Sequence, residues 1–386
     1  MRAVLLLAAG LAAAEAPVGV AADERGPAPA PPPAAARWLV GDLHVHVSPP
    51  DAPGHSTLDV AAALAAARRG GLDFVALTPH DADGLRDAPA GAEPTRETGQ
   101  QLVRRLLRDA AATRADEPPL LAVAGWEWTR EEPGHLGLLF ADVAALRGVD
   151  APRRARAALD AGALAVVEHP FLRPVRSDLP VMGLLRADRS WRPFVAGEFA
   201  PGDWNSIEVW HDGAARVQAL HARDAERLPD TQMIRRALEA WDAATLAGRR
   251  RIVAVGGSDA HGRLPYTALP LPVVSVLVDG ADEDALRRGL LAAHVTFGRR
   301  GGAAARSFAA TSDAPGARAG VGDALRATRE VHLTWDGEAT LYENGTRVGV
   351  FDGGTTRTLA ASDAFAFWRI ECAGDAYSNM IYANLP

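Results

Sequence analysis

Lysine is absent from the 386 residues, and all 41 basic side chains are arginine. Any chemistry that needs a lysine, as a Schiff base or as a carboxylated side chain, is therefore excluded from these residues. Cysteine occurs once, at Cys372, which excludes an internal disulfide and leaves a lone thiol far in sequence from every other candidate group. A Gly-X-Ser-X-Gly nucleophile elbow, a phosphate-cradling Walker loop and a dinucleotide glycine fingerprint are all missing. Excess positive charge is missing too. Acidic residues outnumber basic ones 48 to 41, giving a net charge of −7, and no basic face is clustered, which argues against nucleic acid as a partner.

Long apolar runs are scarce. Residues 3–14 form one, after Met1-Arg2 and before small residues that include Val20-Ala21-Ala22. This order has the form of a signal peptide at 1–22 and is too short for a membrane span, so the expectation is an exported protein, periplasmic or secreted. No cysteine follows the run, which argues against a lipid anchor, and no stable membrane anchor is expected. Residues 23–37 are rich in Pro and Ala and read as a semi-rigid linker without a core.

What the chain does have is a recurring event in which apolar runs end in His, Glu or Asp. Trp38 to Leu43 ends at His44-Val45-His46, and residues i and i+2 of a strand share a face, so both imidazoles could hold one ion. Phe74 to Thr78 ends at His80 and Asp81, and Leu120 to Trp126 ends at Glu127, with His135 eight residues on. Ala163 to Val167 ends at Glu168 and His169, Ser206 to Trp210 at His211, and Ile252 to Ser258 at Asp259 and His261. Helical patterns lie between them at Leu58–Arg69, Thr95–Arg114, Pro152–Ala161 and Thr231–Ala247, the first stopping at Gly70-Gly71. Strand and helix in alternation predict an α/β barrel or an open parallel sheet, whose active residues gather at the strands' carboxyl ends. The polar residues fall in that phase.

After Gly301-Gly302 the helical pattern gives way to short alternating runs at 330–335, 339–343, 348–351, 356–360 and 364–370. Asn344-Gly345 between two of them is a strong hairpin signal. The expected organisation is a barrel over 38–302 followed by a small antiparallel β domain over 303–386.

The chain resembles the PHP (polymerase and histidinol phosphatase) superfamily of metal-dependent hydrolases. The matching stretches are Gly41-Asp-Leu-His-Val-His46, Gly71 to Asp81, Gly125-Trp-Glu-Trp128, His135 to Leu139, Gly162 to Pro170 and Gly257-Ser-Asp-Ala-His261. Tyr377-Ser-Asn-Met-Ile-Tyr382 after Trp368-Arg-Ile-Glu is similar to the branch containing carbaryl hydrolases. The resemblance implies a distorted seven-stranded β/α barrel with two or three divalent ions (Zn, Mn or Fe) at its carboxyl-end face. It implies His44, His46 and Asp259 on a first ion, Glu127 bridging to a second, His80 and His135 completing that site, and His169 and His261 on the second or a third. Two positions depart from the pattern. Pro79 stands where the family usually has Asp, which implies altered support of the ligands and not a dead site. An Asp or His is also expected shortly after His46, and Asp51 and His55 compete for it, Asp51 being the preferred ligand.

Such an ion centre lowers the pKa of a bridging water and stabilises charge developing on an attacked phosphoryl or carbonyl group. The chemistry implied is hydrolysis of a small-molecule substrate without a covalent intermediate, with Glu127 at the centre and His261 or His211 supplying the leaving-group proton. Phosphoesters are the first expectation, carboxylic or carbamate esters or amides the alternative, and a non-catalytic binding module the third. Glu208 and His211 fit either a site role or a plain rim role. One of Trp126 and Trp128 is expected in the core, while the other could wall the pocket. Arg173, Arg176 and Arg263 follow the loops, where an Arg could clamp an oxyanion or simply be solvated. His221, His294 and His332 read as ordinary, and oligomeric state is left open.

Overall fold

The computed structural model describes residues 36–80, 97–113, 119–128, 134–147, 149, 151–170, 202–211, 233–262, 273–299, 301–354, 356–360, 364–373 and 376–386. The leader, most of the linker, Asp81, Arg173, Arg176, His221 and Arg263 lie outside these residues.

Strand β1 (Arg37–Val45) is followed by helix α1 (Val60–Arg69) and strand β2 (Phe74–Leu77). The helix starts where the Asp59 side chain accepts the Ala62 N–H at 2.6 Å. It stops at the predicted glycine pair, with Gly71 in the left-handed region at φ 69°. β1 and β2 pair in parallel with Gly41 opposite Phe74. The Phe74 ring occupies the space where a Cβ on residue 41 would stand, which explains this glycine. Helix α2 (Gly99–Thr113) leads to β3 (Leu121–Ala124), parallel to β2, and β4 (Trp126–Trp128) follows after one residue. Next come β5 (Leu136–Leu139), α3 (Val143–Leu146), α4 (Ala151–Asp160), β6 (Leu164–Val167) and β7 (Ser206–His211). Helix α5 (Met233–Gly248), β8 (Val253–Gly257), β9 (Val273–Val278), α6 (Glu283–Leu291) and β10 (Val295–Gly298) complete this part.

The fold is mixed α/β. β10, β9, β1, β2 and β3 lie side by side in a large sheet of 11 strands, while β4 to β8 form a second sheet of five in chain order. Pairing is parallel through β1-β2-β3 and β6-β7-β8, but β9 runs antiparallel to β1, and β5 runs antiparallel to both β4 and β6. The expectation of uniformly parallel strands is corrected here. The reason is length: a four-residue strand such as β5, with no helix before it, leaves no alternation to read.

The sheets touch at two seams. At one, Gly125 N–H donates to Leu77 C=O at 2.8 Å and Glu127 N–H to Pro79 C=O at 3.3 Å. A Cβ on Gly125 would come within 2.5 Å of Leu139, so the chain passes between sheets only with glycine there. At the other, His46 N–H donates to Ala260 C=O at 3.0 Å. Buried Gln100 on α2 ties down loose ends near the first seam: its amide nitrogen donates to Ala124 and Ala141 carbonyls, both at 2.9 Å, and its oxygen accepts the Val143 N–H. Valine, leucine, alanine and tryptophan from both sheets and from α4, α5 and α6 fill one continuous core.

The remaining strands are β11 (Ala309–Ser312), β12 (Arg318–Gly320), β13 (Ala324–Leu325), β14 (Glu330–Thr334) and β15 (Ala339–Glu343). They continue with β16 (Thr346–Phe351), β17 (Arg357–Ala360), β18 (Ala366–Cys372), β19 (Ala376–Ser378) and β20 (Ile381–Ala383). The hairpin signal is realised: Glu343 pairs with Thr346, with Asn344 and Gly345 both at positive φ between them. β12, β11, β14 and β17 make a four-stranded antiparallel sheet. The others extend the large sheet, because β19 pairs antiparallel with β10. Phe308, Trp335, Leu341, Trp368 and Ile381 belong to a core between these two layers. The C-terminal segment thus has its own core yet shares a sheet with what precedes it.

Candidate metal centre

Parallel strands place their last residues on one rim, and the side chains singled out in the sequence meet there. His44 and His46 lie at the end of β1, His80 just beyond β2, Glu127 on β4, His169 beyond β6, His211 at the end of β7, and Asp259 and His261 beyond β8. His135 precedes β5, and because that strand runs the other way its amino end reaches the same rim.

Their donor atoms converge. His44 Nε2 and His46 Nε2 are 3.2 Å apart, and both face Glu127 Oε2, at 3.4 and 2.9 Å, and Asp259 Oδ1, at 3.3 and 3.0 Å. Four donors at such mutual distances match the edges of a tetrahedron around an ion with bonds of about 2.0–2.1 Å. Glu127 faces two ways. Its Oε2 also lies 3.2 Å from His80 Nδ1, while Oε1 lies 2.5 Å from His135 Nδ1 and 3.2 Å from His169 Nε2. A further group joins His46, His55, His80 and His261, with His55 Nε2 and His261 Nε2 2.9 Å apart. His211 Nε2 sits 3.0 Å from Asp259 Oδ2 and, with His169, makes another grouping.

The structure separates the two competitors after His46. His55 stands inside a donor group, whereas Asp51 Oδ2 lies 2.9 Å from His46 Nδ1, behind the ring. Asp51 is thus placed to orient His46 and is not among the grouped donors. Trp126 and Trp128 stack on each other at 5.8 Å with Arg154 over both rings, and both are buried in the core. Trp126 reaches the centre through its Nε1–H, which donates to the His80 carbonyl at 3.2 Å. His294 pairs with Asp323 and His332 with Thr358, both away from the rim, as expected of ordinary residues.

From sequence, Glu208 fits either a site role or a rim role, and Glu168 is marked only as ending an apolar run. Here both carboxylates contact His44 Nδ1, and with it they form a buried group. The signal that could have found them is glycine: a Cβ on Gly137 would overlap the Glu168 carboxylate, and one on Gly257 the Glu208 carboxylate.

Burial and mutual charge set the electrostatics. Burial alone would push His44 and His46 down, but the surrounding carboxylates raise both well above 6.5. Burial opposes ionisation of Glu127 and Asp259 too, yet the neighbouring imidazoles hold both well below the usual carboxylate range. Glu168 is pushed up to about 7 and Asp42, beneath the rim, to about 6, each chiefly by burial. Burial, aided by charge on His46, lowers His80 and His261. Without a cation, protons on His44 and His46 are the counter-charge for these acids. A cation fits in their place, because the Nε2 atoms of His44 and His46 face each other at 3.2 Å beside oxygens of Glu127 and Asp259, so that lone pairs from all four can point at one ion. Imidazole with carboxylate suits zinc, iron or manganese.

The sequence matches no protein-family model and no curated protein. Solved structures that align with it include the following two. One is a two-domain protein containing a predicted PHP-like metal-dependent phosphoesterase from Bacteroides vulgatus, 15% identical, with TM-score 0.47, covering 94% of this chain and 100% of that one. The other is an amidohydrolase from Chromobacterium violaceum with bound sulfate and no metal, 16% identical, with TM-score 0.29, covering 57% of this chain and 87% of that one. Among the described residues no helix is long and apolar enough to cross a membrane.

Proposed function

We propose that the protein is an exported metal-dependent hydrolase of the PHP type, built on a distorted β/α barrel and acting on phosphoesters of a small molecule. One observation carries the reading: the two oxygens of Glu127 face separate sets of imidazoles, Oε2 toward His44, His46 and His80 and Oε1 toward His135 and His169. A carboxylate so placed is what a bridge between two cations requires, and in a chain without lysine it is the natural one.

In this reading His44, His46, Glu127 and Asp259 hold a first ion, Glu127 with His135 and His169 a second, and His55, His80 and His261 a third. When bound, such ions supply Lewis-acid polarisation, a water of lowered pKa and a clamp on the attacking and leaving oxygens of a phosphoryl group. The chain's own residues do the rest. Asp51 orients His46, Trp126 holds the His80 backbone, and His211, paired with Asp259, is left to give the leaving group its proton. The motif similarity of Tyr377 to Tyr382 favours a second reading, carboxylic or carbamate ester or amide hydrolysis at the same centre.

The test is metal content per chain by elemental analysis on protein purified without chelators, with the same sample assayed on aryl phosphate mono- and diesters and carboxylate esters. At least two ions and preferred phosphoester turnover are expected. Preferred carboxylate-ester turnover selects the second reading. Less than one ion, not restored by manganese, zinc or iron, leaves a binding module.

A further inference from the structure

We infer that Glu168 and Glu208 are a pair of positioning residues that clamp Nδ1 of His44 from beneath and so present its Nε2 lone pair to the cation group; the inference rests on the metallohydrolase reading. Glu208 Oε1 lies 3.2 Å from His44 Nδ1, and its Oε2 accepts the backbone N–H of His169 at 2.7 Å. One carboxylate thus fastens a side chain at the end of β1 to the backbone of another candidate ligand, held at φ 29°. Glu168 closes on the same Nδ1. Both acids are 2% exposed.

The surrounding fold is shaped to them. Gly137 on β5 and Gly257 on β8 leave the volumes that the Glu168 and Glu208 carboxylates fill, and a Cβ on Gly257 would also come within 2.6 Å of His44 Cβ. The chemistry requires carboxylates and not merely polar groups. A neutral imidazole carries one proton, and the partner of one nitrogen decides whether the other is a lone pair. Glu208 offers acceptors to two N–H groups at once. A glutamine has one acceptor oxygen, so its NH2 must meet either the His169 N–H or His44 Nδ1. The second choice favours the tautomer with hydrogen on Nε2, which cannot ligate.

The experiment uses the full chain as wild type, Glu168→Gln, Glu208→Gln, the double variant and Glu208→Asp. Each is stripped of metal, checked for fold by circular dichroism and melting, then titrated with cobalt(II) by visible absorption and elemental analysis. Histidine nitrogen NMR on zinc-loaded protein, and on metal-free protein at alkaline pH, reports the His44 proton. We expect each Gln variant to melt like the metal-free wild type yet bind the His44-containing ion about 10- to 100-fold more weakly. The double variant should be weaker still, and Glu208→Asp should recover part of the affinity. The wild type should show Nδ1–H at His44, lost in the double variant. Wild-type affinity in folded variants, or hydrogen on Nε2 in the wild type, overturns the clamp. Wild-type protein that takes up no metal overturns the parent reading instead, and the His44 proton in metal-free protein still decides the clamp. If the double variant does not fold, the single variants decide it in the same way.

Discussion

Asn379 acts as a strand for Ala254. Its side-chain oxygen accepts the Ala254 N–H at 2.8 Å and its amide nitrogen donates to the Ala254 carbonyl at 2.7 Å, while also reaching the Val295 carbonyl at 3.0 Å. β8 is the last strand of its sheet and β10 belongs to the other, so one buried amide replaces the missing ladder between them. Asn379→Ala would leave the buried Ala254 N–H and C=O unpaired, while the Val295 carbonyl keeps the backbone N–H of residue 379 at 3.0 Å; each lost pairing costs about 1–3 kcal/mol without full additivity. A loss on the order of 3 kcal/mol is expected in urea unfolding, with an unchanged slope. A loss under about 0.5 kcal/mol would show that the seam does not depend on it.

Glu127→Gln should remove more metal than any single histidine change. An amide has one acceptor oxygen, so it cannot serve both sets of imidazoles. Elemental analysis should show more than one ion lost, against at most one for His135→Ala or His55→Ala. Turnover should fall at least about 100-fold, the equivalent of about 3 kcal/mol of charge stabilisation. Equal metal loss in all three variants would contradict the bridge.

Metal uptake should release protons and strengthen as pH rises. His44 and His46 carry raised pKa values in the metal-free protein, so an ion must displace protons from them. The sign is opposite for the empty protein. An imidazole raised on folding contributes stability that is present below its unfolded pKa of about 6.5 and fades as pH climbs through the folded value. Melting curves with and without chelator should therefore diverge toward alkaline pH. Curves that converge there would refute the linkage.

Arg369 joins the C-terminal strands to α5. It is 1% exposed, makes two bonds to Asp242 at 2.9 and 2.8 Å and one to Glu371 at 2.7 Å, and lies over the Tyr342 ring. Arg369→Met strands buried Asp242 and should cost about 3–5 kcal/mol, whereas pairing it with Asp242→Leu should recover much of that loss. Additive losses in a double-mutant cycle would mean that the two residues act independently.

Cys372 is buried, and burial pushes its thiol up to about 11. Native protein should react slowly with a disulfide reagent at pH 8 and rapidly once unfolded in urea. Equal rates in the two states would show that the C-terminal layer opens freely.

Much of the centre was legible because its signals are local. Apolar runs ending in His, Glu or Asp marked strand ends, and His44 and His46 had to share a face whatever the strand paired with. Gly70-Gly71 and Asn344-Gly345 marked a helix stop and a hairpin for the same reason: backbone conformation at a glycine depends on its immediate neighbours. The antiparallel course of β5 was hidden by its brevity, and the pairing of β19 with β10 was hidden because alternation reveals strands but not their partners.

By itself, the sequence determined which residues could ligate, that no lysine or disulfide could take part, and the phase in which polar groups meet strand ends. Tertiary structure alone decided which donors face one another. It put His55 among the donors and Asp51 behind His46, set Glu208 under His44 across 164 residues, and set Asn379 against Ala254 across 125. Contacts at such separations are chosen by which packed arrangement repays the entropy of closing long loops, and no local pattern encodes that choice.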